Sequence, residues 1–261
     1  MFKNLVLISF ISLPLASENL LDIYNEALDN DPQYKSSEYS LLAGKEFVVQ
    51  GRAGLLPNVT LSGSTNWNEY YQFDELQSAY NNSSVTARLT QPLFRLDSWF
   101  NFKRSKKLTD ASEADFAYAQ QNLIIRTVEK YFGVLRAIDN LNAAVSEEKA
   151  IKKQLDQIQQ RFEVGLSAIT EVQEAQLAYD LSVAAKIRSE GALFNAREEL
   201  NSLIGREIFS IDSLKADIVP ENPNPTTKQE WVDIALKNNY RLQASVLRRD
   251  ASQDSARSSA S

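Results

Sequence analysis

The chain contains no cysteine and no histidine. Zinc sites of the usual kind, thiol nucleophiles and histidine-dependent triads are therefore excluded. Disulfides and a lipid-modified N-terminal cysteine go with them. Glycine is scarce, 8 in 261 residues, which favours long helices over a loop-rich all-β fold. Proline is absent from Leu93 to Val219, so nothing in that stretch imposes the break that a proline makes in a helix. The net charge is −6, against the clustered Lys and Arg that phosphate binding needs, and no nucleic-acid partner is expected. Beyond the N-terminus no run approaches the ~20 apolar residues of a membrane helix. Any passage through a membrane must then be made by strands. The chain is nevertheless built to fold, with 43% hydrophobic and 24% charged residues.

What is present begins with Lys3, an apolar run from Leu5 to Leu15, the small pair Ala16-Ser17 and the acidic Glu18. This order reads as a secretory signal over 1–17, cleaved after Ser17. A first long helix is expected over 18–57. Leu20, Ile23, Ala27 and Leu28 share a face, Asp31-Pro32 marks a turn or restart, and Gly51, Gly54 and Pro57 end it. The period then changes to two. Asn58 to Tyr70 and Ser84 to Phe94 alternate as strands, each near the 9–11 residues that cross a bilayer core. A β-hairpin over 58–94 follows, with Tyr70, Tyr71 and Phe73 opening its connecting loop. A lipid-facing Arg at the midplane costs about 2–4 kcal/mol. Arg88, with Thr86 and Thr90, is therefore expected to face a lumen, and Val85, Ala87 and Leu89 the lipid. A soluble hairpin with one wet face would show the same alternation.

A helical hairpin is expected over 95–205. Ile124, Val128, Tyr131, Leu135 and Ile138, then Ile151, Leu155, Ile158 and Phe162, trace a narrow coiled-coil stripe with a stutter between them. Unbroken helix over 97–162 would span roughly 100 Å. Gly165 supplies the left-handed position that ends a helix, and Ser167 is placed to cap the next. The return helix, to Gly205, carries Ile169, Val172, Tyr179, Val183, Phe194, Leu200 and Leu203 on its buried face. Pro220, Pro223 and Pro225 mark a linker over 206–226. Thr226 and Thr227 each open a capping box before a last helix near Trp231. Ala27-Leu28-Asp29-Asn30 and Ala235-Leu236-Lys237-Asn238, with Ala43 and Ala251 at the same offset, suggest that a second copy of one unit starts over 227–261. The fold class is thus mainly α with a small β part.

At this point the chain resembles the TolC family of outer-membrane efflux channels. The resemblance runs over 18–261. It is carried by Glu18 to Tyr24, by Leu55-Leu56-Pro57, by Gln91-Pro92-Leu93-Phe94 and above all by Gln160 to Gln173 at the hairpin tip. It implies a long antiparallel coiled-coil hairpin and a two-stranded transmembrane β-hairpin in each of two repeats. Three protomers would pool their strands into a barrel in the outer membrane, with helices extending into the periplasm. The implied partners are two further copies, outer-membrane lipid, a periplasmic adaptor and an inner-membrane pump. The channel is a passive duct with no cofactor, metal or catalytic residue.

Carried over, Val164, Gly165, Leu166, Ser167 and Thr170 form the adaptor-docking tip, and Glu171 helps hold the tip closed through contacts to the second repeat. Gly165 also reads simply as a helix C-cap, and both roles are compatible. The second strand pair and hairpin lie beyond Ser261, so this 261-residue chain is expected to be a truncated form that does not make a working channel alone. Six strands from three copies fall below the smallest even-stranded barrel of eight. A periplasmic adaptor is the alternative function, since adaptors also carry helical hairpins. An enzyme would have to rely on carboxylate pairs such as Glu147-Glu148 or Glu198-Glu199. Sequence neighbours do not share a helix face, so such pairs read as solvated surface.

Overall fold

The computed structural model describes residues 17–214 and 222–260. Apart from Ser17, the expected signal peptide lies outside the described residues, as does part of the expected linker. Eight elements follow in order: α1 (Leu20–Asn30), α2 (Pro32–Ala53), β1 (Asn58–Gln72), β2 (Glu75–Thr90), α3 (Leu96–Glu163), α4 (Ile169–Ile204), α5 (Lys228–Asn238) and α6 (Tyr240–Ser259). None of the described helices is long and apolar enough to cross a membrane.

The first helix starts where the backbone is capped from both sides. The Asn19 side chain accepts from the Leu21 and Asp22 amides at 2.9 and 3.0 Å, and Asp22 reaches back to the Asn19 amide. It stops at Asp31 because Pro32 has no amide proton to continue the ladder. Asp31 then caps α2, accepting from the Tyr34 amide at 2.8 Å. The pair α5 and α6 is built the same way. Asn239 ends α5 by donating to Ala235 O at 2.9 Å, as Asp31 does to Ala27 O, and caps α6 through Leu242 N at 3.0 Å. Before α5, Thr227 is the N-cap, accepting from Glu230 N.

The chain forms two units, one of residues up to Ser36 with Ala119–Asn224, the other of Ser37–Tyr118 with Pro225–Ser261. In the first, Ile23 and Ala27 of α1 pack with Leu123, Tyr131 and Val134 of α3 and Leu193, Leu200, Leu203 and Ile204 of α4. The seam in α3 therefore starts at Leu123 and Thr127, one residue ahead of the expected Ile124 and Val128. Ile124 is exposed, and on α4 the expected Phe194 is exposed while Leu193 is buried. Thr127 is admitted to the seam because its hydroxyl donates to Leu123 O at 2.8 Å, so no polar atom is stranded. Farther along, Lys186 pairs with Glu148 at 3.1 Å.

In the second unit α2 meets α3 through a seam of glycine and serine. A Cβ added at Gly44 would lie 2.3 Å from Ser112 Oγ and 2.4 Å from its Cβ; one at Gly51 would lie 2.5 Å from Ser105 Oγ. The two contacts are one heptad apart on each helix. Thr109 Oγ1 donates to Gly44 O at 2.9 Å across the same seam. On another side of α3, Asp254 of α6 is buried. Lys107 Nζ lies 2.8 Å from its Oδ2, and Arg257 Nη1 donates to its Oδ1 at 3.2 Å.

The strands are longer than the alternation suggests. β2 begins at Glu75 rather than Ser84, and Tyr70 and Tyr71 belong to β1 rather than to a loop. The turn is Phe73-Asp74 alone, both at positive φ (52° and 64°), as a two-residue hairpin requires. A bulge separates Tyr70 from Tyr71.

Two outcomes test this packing. Gly44→Val should destabilise the chain by about 1–3 kcal/mol through overpacking, read as a lowered unfolding midpoint, and Ser112→Gly in the same chain should recover part of it. The Lys107 hydrogen bond holds the Asp254 carboxyl below its ordinary value of 3.8. Its contribution is then full above pH 3.8 and lost as pH falls through the lower folded value. Asp254→Asn should flatten that acid limb of a plot of melting temperature against pH.

Candidate functional site

Two places carry the residues that the sequence singles out, and neither resembles a catalytic pocket. The first is the end of the α3–α4 hairpin. α3 terminates through two backbone bonds: Gly165 N–H donates to Phe162 O at 2.9 Å and Leu166 N–H to Arg161 O at 2.8 Å. With Gly165 at φ +76°, this is the paired-bond helix end that a left-handed residue allows. The C-cap role of Gly165 is thus structural fact. A Cβ there would meet nothing within 4 Å, so the position is also open to the outside.

Around it the tip shows apolar surface to solvent. Val164 and Leu166 are each 70% exposed and Ile169 51%. The cap of α4 differs from expectation. Its N-cap is Ala168, with no side-chain cap bond. The Ser167 hydroxyl instead donates to the Glu171 carboxylate. That carboxylate stands in the first turn of α4, where the helix dipole favours negative charge. Ser167 and Glu171 are thereby joined beside the turn, and Thr170 stands in the first turn of α4.

The second place is the strand pair. Its register sets Val59 opposite Leu89, Leu61 opposite Ala87 and Gly63 opposite Val85. Since side chains alternate across a strand, Val85, Ala87 and Leu89 share a face with Val59, Leu61 and Trp67. Thr86, Arg88 and Thr90 share the opposite face with Asn58, Thr60 and Ser62. From Asn58 to Asn66 and from Asn82 to Thr90 that second face is polar, with hydroxyls bonded across it, as from Ser64 to Ser84 at 2.9 Å. On the first face Val59, Leu61, Val85 and Leu89 are all at least 70% exposed. The sequence reading missed what lies past this apolar band: Trp67 Nε1 and Tyr71 OH both donate to Glu69, at 3.0 and 2.7 Å. An aromatic–carboxylate–aromatic run at alternate positions is the signal that points to it.

Among the described residues no group of three or more acidic side chains is placed to hold a metal ion. One open groove of about 560 Å³ is mixed in charge, lined by Arg126, Glu129, Lys130, Arg136 and Glu199 among others.

An amphipathic strand pair joined to a 68-residue helix and its antiparallel return is the fold found in outer-membrane channel structures. The chain belongs to the outer membrane efflux protein family, whose model matches residues 23–206. It is 33% identical over 244 residues to the outer membrane protein TolC of Vibrio cholerae, covering 94% of this chain and 55% of that one. It is 33% identical over 254 residues to TolC of Escherichia coli, covering 97% and 50%. The alkaline protease secretion protein AprF of Pseudomonas aeruginosa is 29% identical over 233 residues, covering 85% and 48%. Among solved structures, the Campylobacter jejuni CmeC outer membrane channel aligns with a TM-score of 0.75 at 19% identity, over 93% of this chain and 52% of that one. The chain spans about half the length of the curated relatives it matches. The family's place is the outer membrane, with the helical portion in the periplasm. These relatives are channel and secretion proteins, not enzymes.

The turn gives a graded prediction. Gly165→Asn should be nearly silent, Gly165→Ala should cost about 1–2 kcal/mol of left-handed strain, and Gly165→Val should cost more. Hydrogen exchange at the Gly165 and Leu166 amides should rise in that order, because their bonds exist only in this turn.

Proposed function

We propose that this chain contributes the membrane strands and the periplasmic hairpin of a passive exit duct for tripartite efflux or type I secretion. The duct works as a homotrimer in outer-membrane lipid, docked at its tip on a periplasmic adaptor and through it on an inner-membrane pump. The observation that carries the reading is the tip. Its apolar side chains Val164, Leu166 and Ile169 stand in solvent around a turn whose glycine leaves open space, at the end of a helix about 100 Å long. A helical hairpin of that reach gains nothing for its own stability from an apolar end. It gains from a partner that covers it.

In this reading Val85, Ala87 and Leu89 face lipid, and Thr86, Arg88 and Thr90 line the duct. Arg88 supports that orientation because the opposite one would place a guanidinium in hydrocarbon. Glu171 keeps its role as a closing contact, shared with Ser167 until a neighbouring hairpin takes it. Catalysis has no part here: the duct offers a path, and the pump supplies the energy.

The chain has no native cysteine, so a single Leu166→Cys in it reports from one place. Crosslinking in cells should capture a periplasmic adaptor from Leu166→Cys and not from Arg188→Cys, and adding Gly165→Asn should reduce that capture several-fold while the protein still folds. Capture of an outer-membrane channel instead would make the chain an adaptor. Equal capture from both positions would remove the tip as the docking surface.

A further inference from the structure

The polar face of the strand pair carries a single charge. From Asn58 to Tyr70 on β1 and from Ser78 to Thr90 on β2, alternate residues lie on it in register. Arg88 alone among them is ionised. Its neighbours on that face are Thr86 and Thr90 along the strand and Thr60 opposite. The Thr60 hydroxyl donates to the backbone carbonyl of Arg88 at 3.5 Å. The Arg88 side chain is exposed, and among the described residues its guanidinium takes part in no hydrogen bond or ion pair.

Nothing on the hairpin neutralises this charge. The hairpin's carboxylates are Glu69, Asp74 and Glu75. Glu69 lies on the opposite face, bonded to Trp67 and Tyr71. It stands nine residues along β1 from Thr60, the partner of Arg88, or ~30 Å at the rise of a strand. Asp74 and Glu75 are farther still, at the turn and just after it. Charges in 0.1 M salt are screened over about 10 Å, so none of the three reaches Arg88. Asp97, the first carboxylate after β2, is already paired with Arg95. The face is therefore positive, in a chain with 34 acidic against 28 basic side chains.

We propose that Arg88 is the charge selector of the duct, favouring small anionic solutes over cations. The inference rests on the reading of this protein as a trimeric duct whose lumen this face lines. Three copies then set three guanidiniums at one height, near the end of the barrel where strand gives way to helix. A ring of arginines in a pore wall favours anions. The guanidinium fork also matches the paired oxygens of carboxylate and phosphate, and it stays charged at any working pH. Solutes bearing such groups are drawn into the lumen, and cations are held back. The hydroxyls of Thr60, Thr86 and Thr90 around the ring are neutral and interact with either sign. Selection by charge therefore falls to Arg88.

With no other thiol in the chain, Thr86→Cys samples the field two residues from Arg88. The protein is labelled in outer-membrane vesicles with a sulfonate-bearing and, separately, a trimethylammonium-bearing methanethiosulfonate. Each rate is divided by that of the same reagent with a free thiol, and the ratio of the two cancels the reactivity of the cysteine itself. The anionic reagent should be favoured roughly three- to tenfold in dilute salt, and the preference should fall toward unity in about 1 M salt. Arg88→Gln should abolish it, and Arg88→Lys should keep it. Ala87→Cys, on the other face, should stay unlabelled by both reagents. An unreactive Thr86→Cys, or an Ala87→Cys labelled as fast, would overturn the lumen orientation and this inference with it. A reactive Thr86→Cys with no charge preference, or with one that survives Arg88→Gln, would overturn the selector and leave the duct standing.

Discussion

Two backbone hydrogen bonds across Gly165 decide whether α3 and α4 run side by side. A helix as long as α3 has no tertiary reason to stop within itself, because its apolar positions recur through most of its length. What stops it is a residue that enters the left-handed region without penalty and lets Phe162 O and Arg161 O find donors. Once the chain reverses there, the heptad-like rows of α3 and α4 are brought into antiparallel register. Leu123 and Leu200 can then share one core with Ile23. The Lys186–Glu148 pair fixes the same register farther out. Propensity alone would make two helices; the turn makes them one hairpin.

The strands obey a different constraint. A backbone in hydrocarbon must satisfy its polar groups from within protein, and a two-stranded sheet satisfies only half of them. Each strand of the β1–β2 pair still offers one outer edge. Near the open end the register keeps the two faces distinct, with Val59, Leu61, Val85, Ala87 and Leu89 on one side and Asn58, Thr60, Ser62, Thr86, Arg88 and Thr90 on the other; farther along, Thr65, Asn81 and Ser83 make the first face polar too. Such separation suits a sheet that meets water on one side only. The same pattern gives the sheet its direction of closure, since further strands must continue both faces.

Much of this was legible in the residues, and the failures have physical causes. The breaks at Asp31-Pro32, Gly165 and Gly205 were readable because proline and left-handed glycine act locally. The tip motif, Gln160 to Gln173, was readable as a block. The start of the seam on α3 falls one residue ahead of the expected one, at Leu123 rather than Ile124, while the expected Tyr131, Leu135 and Leu155 are buried. Periodicity finds apolar rows but cannot tell which row meets the chain's own partner, and α3 carries more than one: Ile124, Ile125 and Phe132 are exposed. The start of β2 was missed because Glu75 to Ser83 shows little apolar–polar alternation. Strand that extends past the apolar band is wet on both sides and leaves no signal of period two. The cap of α4 falls one residue past Ser167, at Ala168, and the Ser167 hydroxyl donates to the Glu171 carboxylate.

The matching junctions α1–α2 and α5–α6 are alike in backbone and unlike in charge. At the first, Asp31 is buried, 3% exposed, and its two oxygens take a forked pair of bonds from Arg126, at 3.2 and 2.5 Å. At the second, Asn239 performs the same two capping tasks with a neutral amide. Loss of the cation would strand a buried charge at one junction and has no counterpart at the other. Two copies of one device have therefore come to differ in fragility. A substitution is cheap at Asn239 and dear at Asp31.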